Sequence, residues 1–145
     1  MRSTGSRTAS AHKVDLTARL RAAGLRPTRQ RIALGKLLFG AHDRHVTAES
    51  LHQEAVKVGA HLSLATVYNT LHQFTGAGLL RQVIVDGDKT YFDTNIGDHH
   101  HFYYEDEGLL ADIPGDHVTI DGLPRPPSGT EIERVEVVVR LKARG

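Results

Sequence analysis

Residues 63–80 read SLATVYNTLHQFTGAGLL and continue through LLRQVIV (79–85), DGDK (86–89) and TYFDT (90–94). Ser63 is placed to cap a helix, and Leu64, Val67, Leu71 and Phe74 follow at intervals of three and four, the spacing of one apolar helix face. The opposite face then carries Thr66, Asn69, Thr70 and Gln73, with Tyr68 beside it. Such side chains, presented from the first turns of a helix, suit base edges and phosphates. The two runs that follow are β-rich and flank a turn containing Gly87, which predicts a hairpin.

Toward the N-terminus, VDLTARLRAAG (14–24) spaces Val14, Leu16, Leu20 and Ala23 as a short helix ending on Gly24. In LRPTRQRIALGKLLFG (25–40), Thr28 caps a second helix with a stripe of Ile32, Leu34, Leu37 and Leu38, and Arg26, Arg29 and Arg31 cluster at its start. Thr47 caps a third, with Leu51, Ala55 and Val58 recurring before Gly59. Helices followed by a hairpin predict a winged-helix DNA-binding domain over 13–94, preceded by a flexible basic arm over 1–12.

Past Thr94 the character changes. NIGD (95–98) reads as a hinge, HHHFYYED (99–106) as an aromatic strand, and LLADIP (109–114) as its partner beyond a turn at Gly108. Residues 114–131 hold four of the five prolines and read as mostly irregular. In EIERVEVVVRLKA (131–143), Val135, Val137, Val139 and Leu141 alternate with Glu136, Val138, Arg140 and Lys142, which predicts a strand with one buried face. The fold class is therefore α+β: a winged helix followed by a small α/β domain over 99–145. So short a domain completes its core across a subunit interface, which predicts a homodimer.

Composition supports this division. Residues 1–85 carry 12 Lys/Arg against 4 Asp/Glu, whereas residues 86–145 carry 6 against 13. The first part suits a polyanion and the second does not, as in a chain that binds nucleic acid through one domain. With no cysteine, disulfides and thiolate metal sites are excluded, so any metal rests on nitrogen and oxygen. No apolar run approaches a membrane span, and MRSTGSRTASAHK lacks the apolar stretch of a secretory signal, so a cytoplasmic protein is expected.

SLATVYNTLHQF, GLRPTRQR, HVTAESLH, TYFD and the histidine triplet together resemble the ferric uptake regulator (Fur) family from about residue 14 onward. HHHFYYEDEGLLADIP and GLPRPPSG look like its iron response regulator branch, found in alphaproteobacteria and associated with haem. This resemblance implies a dimeric repressor that binds AT-rich inverted-repeat operators of iron and haem metabolism genes, is active when iron is scarce and is disabled by haem. Where many members carry CxxC pairs for structural zinc, this chain has Tyr104 and Glu107 at the first place and no later cysteine, so cysteine-bound zinc is not expected.

On a strand, His99 and His101 share a face and can converge on one ion, with His100 turned away. The family's regulatory set, carried over by position, is His45, Asp93, His99, His101 and Asp112. Such ligands suit Fe2+ or Mn2+ and also accept Zn2+. Imidazole is equally a haem ligand, so His99, His100 and His101 are haem candidates, with His61 a further one. For DNA, Tyr68 and Asn69 are expected at base edges, although Arg commonly follows this Tyr in the family. Arg26 is placed for a narrow minor groove, and Thr28, Arg29, Arg31, Ser63 and Thr66 for phosphates. Three alternatives accompany this reading: a ferrous- or manganese-dependent co-repressor without haem control, a haem- or metal-buffering protein, and a metal-dependent hydrolase.

Overall fold

In the computed structural model, which describes residues 16–40, 42–86 and 89–145, the chain divides into two units, one ending at Ile96 and one beginning at Gly97. The basic arm expected over residues 1–12 and the expected start of the first helix lie outside the described residues.

In the first unit, residues 16–22 form helix α1. Gly24 follows at φ 82°, the left-handed conformation that ends helices, and Leu25 N–H folds back to the Leu20 carbonyl at 2.9 Å. Helix α2 spans Arg29–Leu38, with the Thr28 hydroxyl accepting from Arg31 N–H. A two-residue strand β1 (His45–Val46) leads to α3 (Ala48–Lys57), which begins in a reciprocal capping box between Thr47 and Ser50. Helix α4 spans Leu64–Gly76 and is capped by Ser63. Strands β2 (Arg81–Asp86) and β3 (Lys89–Asp93) pair antiparallel, the turn expected at Gly87 lying outside the described residues, and β1 pairs with β3 in the order β1-β3-β2. Helix and wing share one core, with Leu20, Leu34, Leu38, Leu51, Val67, Leu71, Phe74 and Phe92 buried.

Three expected positions shift. Leu64 is 40% exposed, because the first residue of α4 lies beyond the edge of the core. Its place on the inner face is taken by Thr70: Val67, Thr70, Leu71 and Phe74 recur at i, i+3, i+4 and i+7 and are all buried. A threonine tolerates this position because its hydroxyl donates back to the Thr66 carbonyl at 2.8 Å. Val58, expected on the apolar stripe of the third helix, lies past its last residue and is exposed.

The second unit is a three-stranded sheet of order β5-β4-β6, formed by β4 (His99–Tyr104), β5 (Leu109–Pro114) and β6 (Val138–Leu141). Strands β4 and β5 are antiparallel around a turn that includes Gly108 at φ 66°, whereas β6 runs parallel to β4. A 3-10 turn, Gly115–His117, follows β5, and residues 118–137 have no helix or strand. The final strand is thus shorter than its alternation predicts, and the alternation does not become burial: Val135, Val137 and Leu141 are half-buried and Val139 is exposed. The physical reason is that a period of two produces burial only where a second layer covers one face, and this unit contributes no such layer among its described residues. No helix of the described residues is long and apolar enough to cross a membrane.

Candidate metal centre and nucleic-acid face

The first unit contributes a histidine–carboxylate pair. Pairing of β1 with β3 sets His45 opposite Asp93. The His45 Nε2 lies 3.1 Å from Oδ2 of Asp93, whose side chain is fully buried. Asn95 N–H donates to the other carboxylate oxygen, Oδ1, at 2.9 Å, which leaves Oδ2 directed at the imidazole. The adjacent residues hold this register: Arg44 N–H donates to the Thr94 hydroxyl at 2.8 Å, and Thr94 N–H donates to the Arg44 carbonyl at 3.0 Å. The Arg44 guanidinium is itself fastened, donating to Glu54 through both Nη atoms, at 2.9 and 2.5 Å, and to the Leu37 carbonyl at 2.8 Å. Its hydrogen bonds to Glu54 raise its pKa above the ordinary value, burial opposes them, and attraction to the same carboxylate adds to the rise.

The second unit contributes a triad. Register between β4 and β5 pairs His101 with Asp112, and His99 lies two residues away on the same face, its ring 4.6 Å from that of His101. The His99 and His101 Nε2 atoms lie 3.4 and 3.6 Å from Asp112 Oδ1. His99 Nδ1 is 2.6 Å from the Gly97 carbonyl and donates to it, which turns Nε2 toward the carboxylate. Two imidazole nitrogens beside one carboxylate oxygen form a donor set that fits a divalent ion of borderline or hard character. All three histidines are buried, at 5, 8 and 0% exposure for His99, His100 and His101. His100 does turn to separate work: its Nδ1 accepts from Val137 N–H at 3.0 Å, tying the approach to β6 onto β4.

On the first unit, the exposed face of α4 carries Tyr68 and Asn69. Tyr68 packs on His72 one turn later, with ring centroids 5.1 Å apart, and both rings meet Phe92 nearly edge-on. Ser63 and Thr28, expected at phosphates, spend their hydroxyls on capping, with Ser63 Oγ accepting from Thr66 N–H at 3.0 Å. Arg26 and Arg29 are exposed. Arg31 instead reaches across to α4 at the surface, donating to the Arg26 carbonyl at 2.9 Å and through Nε and Nη2 to Gln73 Oε1 at 3.3 and 3.1 Å. A polar hollow of about 260 Å³ opens there, lined by Thr28, Gln30, Arg31, Thr66, Asn69, Thr70 and Gln73. His61, the remaining haem candidate, is exposed in the connection between α3 and α4.

Three contributors escaped the sequence reading. Arg44 had no local signal, because Glu54 and Thr94 lie ten and fifty residues away. Gln73 was placed on the polar face, but its hold on Arg31 depends on how α2 crosses α4. The Tyr68–His72 contact does have a signal, the i, i+4 spacing of two rings on one helix.

Residues 22–121 match the ferric uptake regulator family. The ferric uptake regulation protein of Pseudomonas aeruginosa is 36% identical over 95 residues, covering 65% of this chain and 71% of its own. That of Shigella flexneri is 32% identical over 105 residues, covering 72% and 71%. A solved structure of the ferric uptake regulator from Pseudomonas aeruginosa with manganese superimposes with a TM-score of 0.67 at 26% identity, covering 90% of this chain and 98% of that one. With the winged helix, the wing and a histidine–aspartate donor set in place, the chain belongs to the ferric uptake regulator family and is a metal-responsive transcription regulator, not an enzyme.

Proposed function

We propose that this protein is a homodimeric, cytoplasmic repressor whose binding to AT-rich inverted-repeat operators of iron and haem metabolism genes is set by a divalent ion held by His45, Asp93, His99, His101 and Asp112. The observation that carries the reading is the triad of the second unit: two buried imidazoles on one strand face with one carboxylate between their Nε2 atoms. Fe2+ or Mn2+ is the physiological ion in this reading, with Zn2+ a competent substitute. The ion supplies positive charge that holds these acceptors together. The ligands come from both ends of the 95–98 hinge, so loading couples the 13–94 DNA-binding domain to the 99–145 dimerisation domain. Tyr68 and Asn69 read bases, Arg26 enters the minor groove, and Arg29 and Thr66 contact phosphates. Arg31, Thr28 and Ser63 reach the backbone as parts of capped, fastened helix starts.

A haem-controlled version, as in the iron response regulator branch, is supported by the likeness of HHHFYYEDEGLLADIP and GLPRPPSG to that branch. Burial of the triplet gives it a defined consequence: haem iron reaches His99 or His101 only by removing it from the ion's ligand set, so haem and divalent metal exclude each other. His100 joins them only by releasing Val137 N–H, and His61 offers an exposed second place.

Operator affinity of apo, Mn2+-loaded and haem-loaded protein, measured on AT-rich inverted repeats, tests both versions. Tighter binding with Mn2+ and release by haem is the expected pattern. Tight binding by the apo protein that Mn2+ leaves unchanged would overturn metal control, and indifference to haem would leave the co-repressor version alone.

A further inference from the structure

A groove of about 550 Å³ lies on the first unit, lined by neither His45 nor Asp93 but by Arg29, Ala33, Lys36 and Leu37 on one wall and residues 58–62 on the other. Residues 29, 33, 36 and 37 recur at i, i+4, i+7 and i+8, so they form one stripe along α2. Their charges are all of one sign. Arg29 and Lys36 stand about 10 Å apart along the helix axis, His61 faces them from the other wall, and among the described residues no Asp or Glu lines the groove. Between the cations the surface is apolar: Ala33, Leu37, Val58, Ala60 and Leu62, with Val58 64% exposed. Volume, apolar walls and a few convergent polar groups are the marks of a small-molecule site.

We propose that this groove binds a small amphipathic carboxylate, its aliphatic or aromatic body against Leu37, Val58 and Leu62 and its acid group at Lys36 or Arg29, and that occupancy weakens DNA binding. The coupling rests on the DNA-binding role proposed for this unit. Two features supply it. Arg29 belongs both to the groove and to the proposed phosphate contacts, so ligand and DNA compete for its charge. The wall 58–62 also runs directly into Ser63, the cap of α4, and its carbonyl at Leu62 is held by His52 Nε2 at 3.0 Å. A ligand that displaces this wall therefore moves the first turn of the reading helix.

The probe is octanoate, with 1-octanol as its uncharged counterpart, titrated into the full chain carrying labelled Leu and Val methyl groups and followed by NMR. Expected are saturable shifts centred on Leu37, Val58 and Leu62, with 1-octanol at least about tenfold weaker because it lacks the charge-assisted contact. Lys36→Glu lowers octanoate affinity by about tenfold, and Ala33→Phe, which fills the groove, abolishes it. Saturating octanoate raises the operator Kd of the wild-type chain and leaves that of Ala33→Phe unchanged. Equal binding of octanol and octanoate, shifts centred on residues 97–145, or full binding by a double variant carrying Arg29→Glu and Lys36→Glu overturns the site. An unchanged operator Kd in the octanoate-saturated wild type overturns the coupling. Failure of every form to bind operator strikes the DNA reading instead, while the methyl shifts still decide the groove.

Discussion

Arg44 and Thr94 hold each other at three points: the Thr94 N–H donates to the Arg44 carbonyl at 3.0 Å, the Arg44 N–H donates to the Thr94 hydroxyl at 2.8 Å, and that hydroxyl donates back to the Arg44 carbonyl at 3.4 Å. The next residue after one and the residue before the other are His45 and Asp93, so this clasp sets the register of the histidine–carboxylate pair. Thr94→Val keeps the shape and removes the acceptor. Unfolding in urea is expected to show a loss of about 1–2 kcal/mol from the stranded Arg44 N–H, accompanied by lower Mn2+ affinity in titration calorimetry. Lower stability with unaltered Mn2+ affinity would separate the clasp from the ligand pair.

The Arg44–Glu54 ion pair makes a second, pH-specific prediction. The folded pKa of Arg44 is raised, so its stabilising share is fully present below the unfolded value and is lost only as pH rises through the folded one. That window lies in strong alkali, so the arginine should impose no slope on stability across roughly pH 5 to 9. With both side chains partly exposed, solvent screening keeps the pair small, and Arg44→Met should cost about 1 kcal/mol. Unfolding free energies of wild type and variant, compared across that range, should differ by a constant.

The histidine triplet divides by face. His99→Ala and His101→Ala should each lower Mn2+ affinity by at least about tenfold, by analogy with the 10–100-fold losses found even for groups that merely orient ligands. His100→Ala should leave Mn2+ affinity intact and destabilise the second unit by about 1 kcal/mol, because Val137 N–H loses its acceptor. Calorimetry with Mn2+ and thermal unfolding of the three variants read both effects. Equal Mn2+ losses at all three positions would mean the strand faces are misassigned.

Arg26 and Arg31 are near neighbours with different work. Arg26→Ala should flatten the slope of log affinity against log salt by about one unit for each phosphate that its guanidinium neutralises. Arg31→Ala should weaken operator binding with a smaller change of slope, since its guanidinium is tied to Gln73 and to the Arg26 carbonyl. Gln73→Ala should reproduce part of that loss, and the double variant should lose less than the two single effects combined.

Gly115 is required by space. A Cβ there would sit 2.9 Å from the Asp98 carbonyl oxygen, which is backbone and cannot swing aside. Gly115→Ala should destabilise the protein by about 1–3 kcal/mol and reduce Mn2+ affinity, because Asp98 directly precedes His99 at the start of β4. A thermal melt with parallel Mn2+ titration checks it.

Most of the secondary structure could be read along the chain because its causes are local. Thr28, Thr47 and Ser63 cap helices through hydroxyls acting within three residues, and Gly24 ends α1 by adopting φ 82°. His99 and His101 share a face because strand geometry alternates. The errors fall where burial depends on what lies opposite: Leu64 is exposed at the edge of the core, Thr70 is inside it, and Val139 is exposed on a strand whose alternation promised cover.

By itself, then, the sequence of this protein determined its helices, its wing, the absence of sulfur ligands and a strand with two histidines on one face, all consequences of covalent geometry and short-range hydrogen bonding. Only the tertiary structure decided that Arg44 clasps Thr94 and Glu54, that Arg31 serves Gln73, and that His100 fastens Val137. These pairings join residues ten to fifty positions apart. The chain closes such distances because packing of its apolar faces offsets the entropy of loop closure, and it is that packing, invisible to local pattern, that selects which polar groups meet.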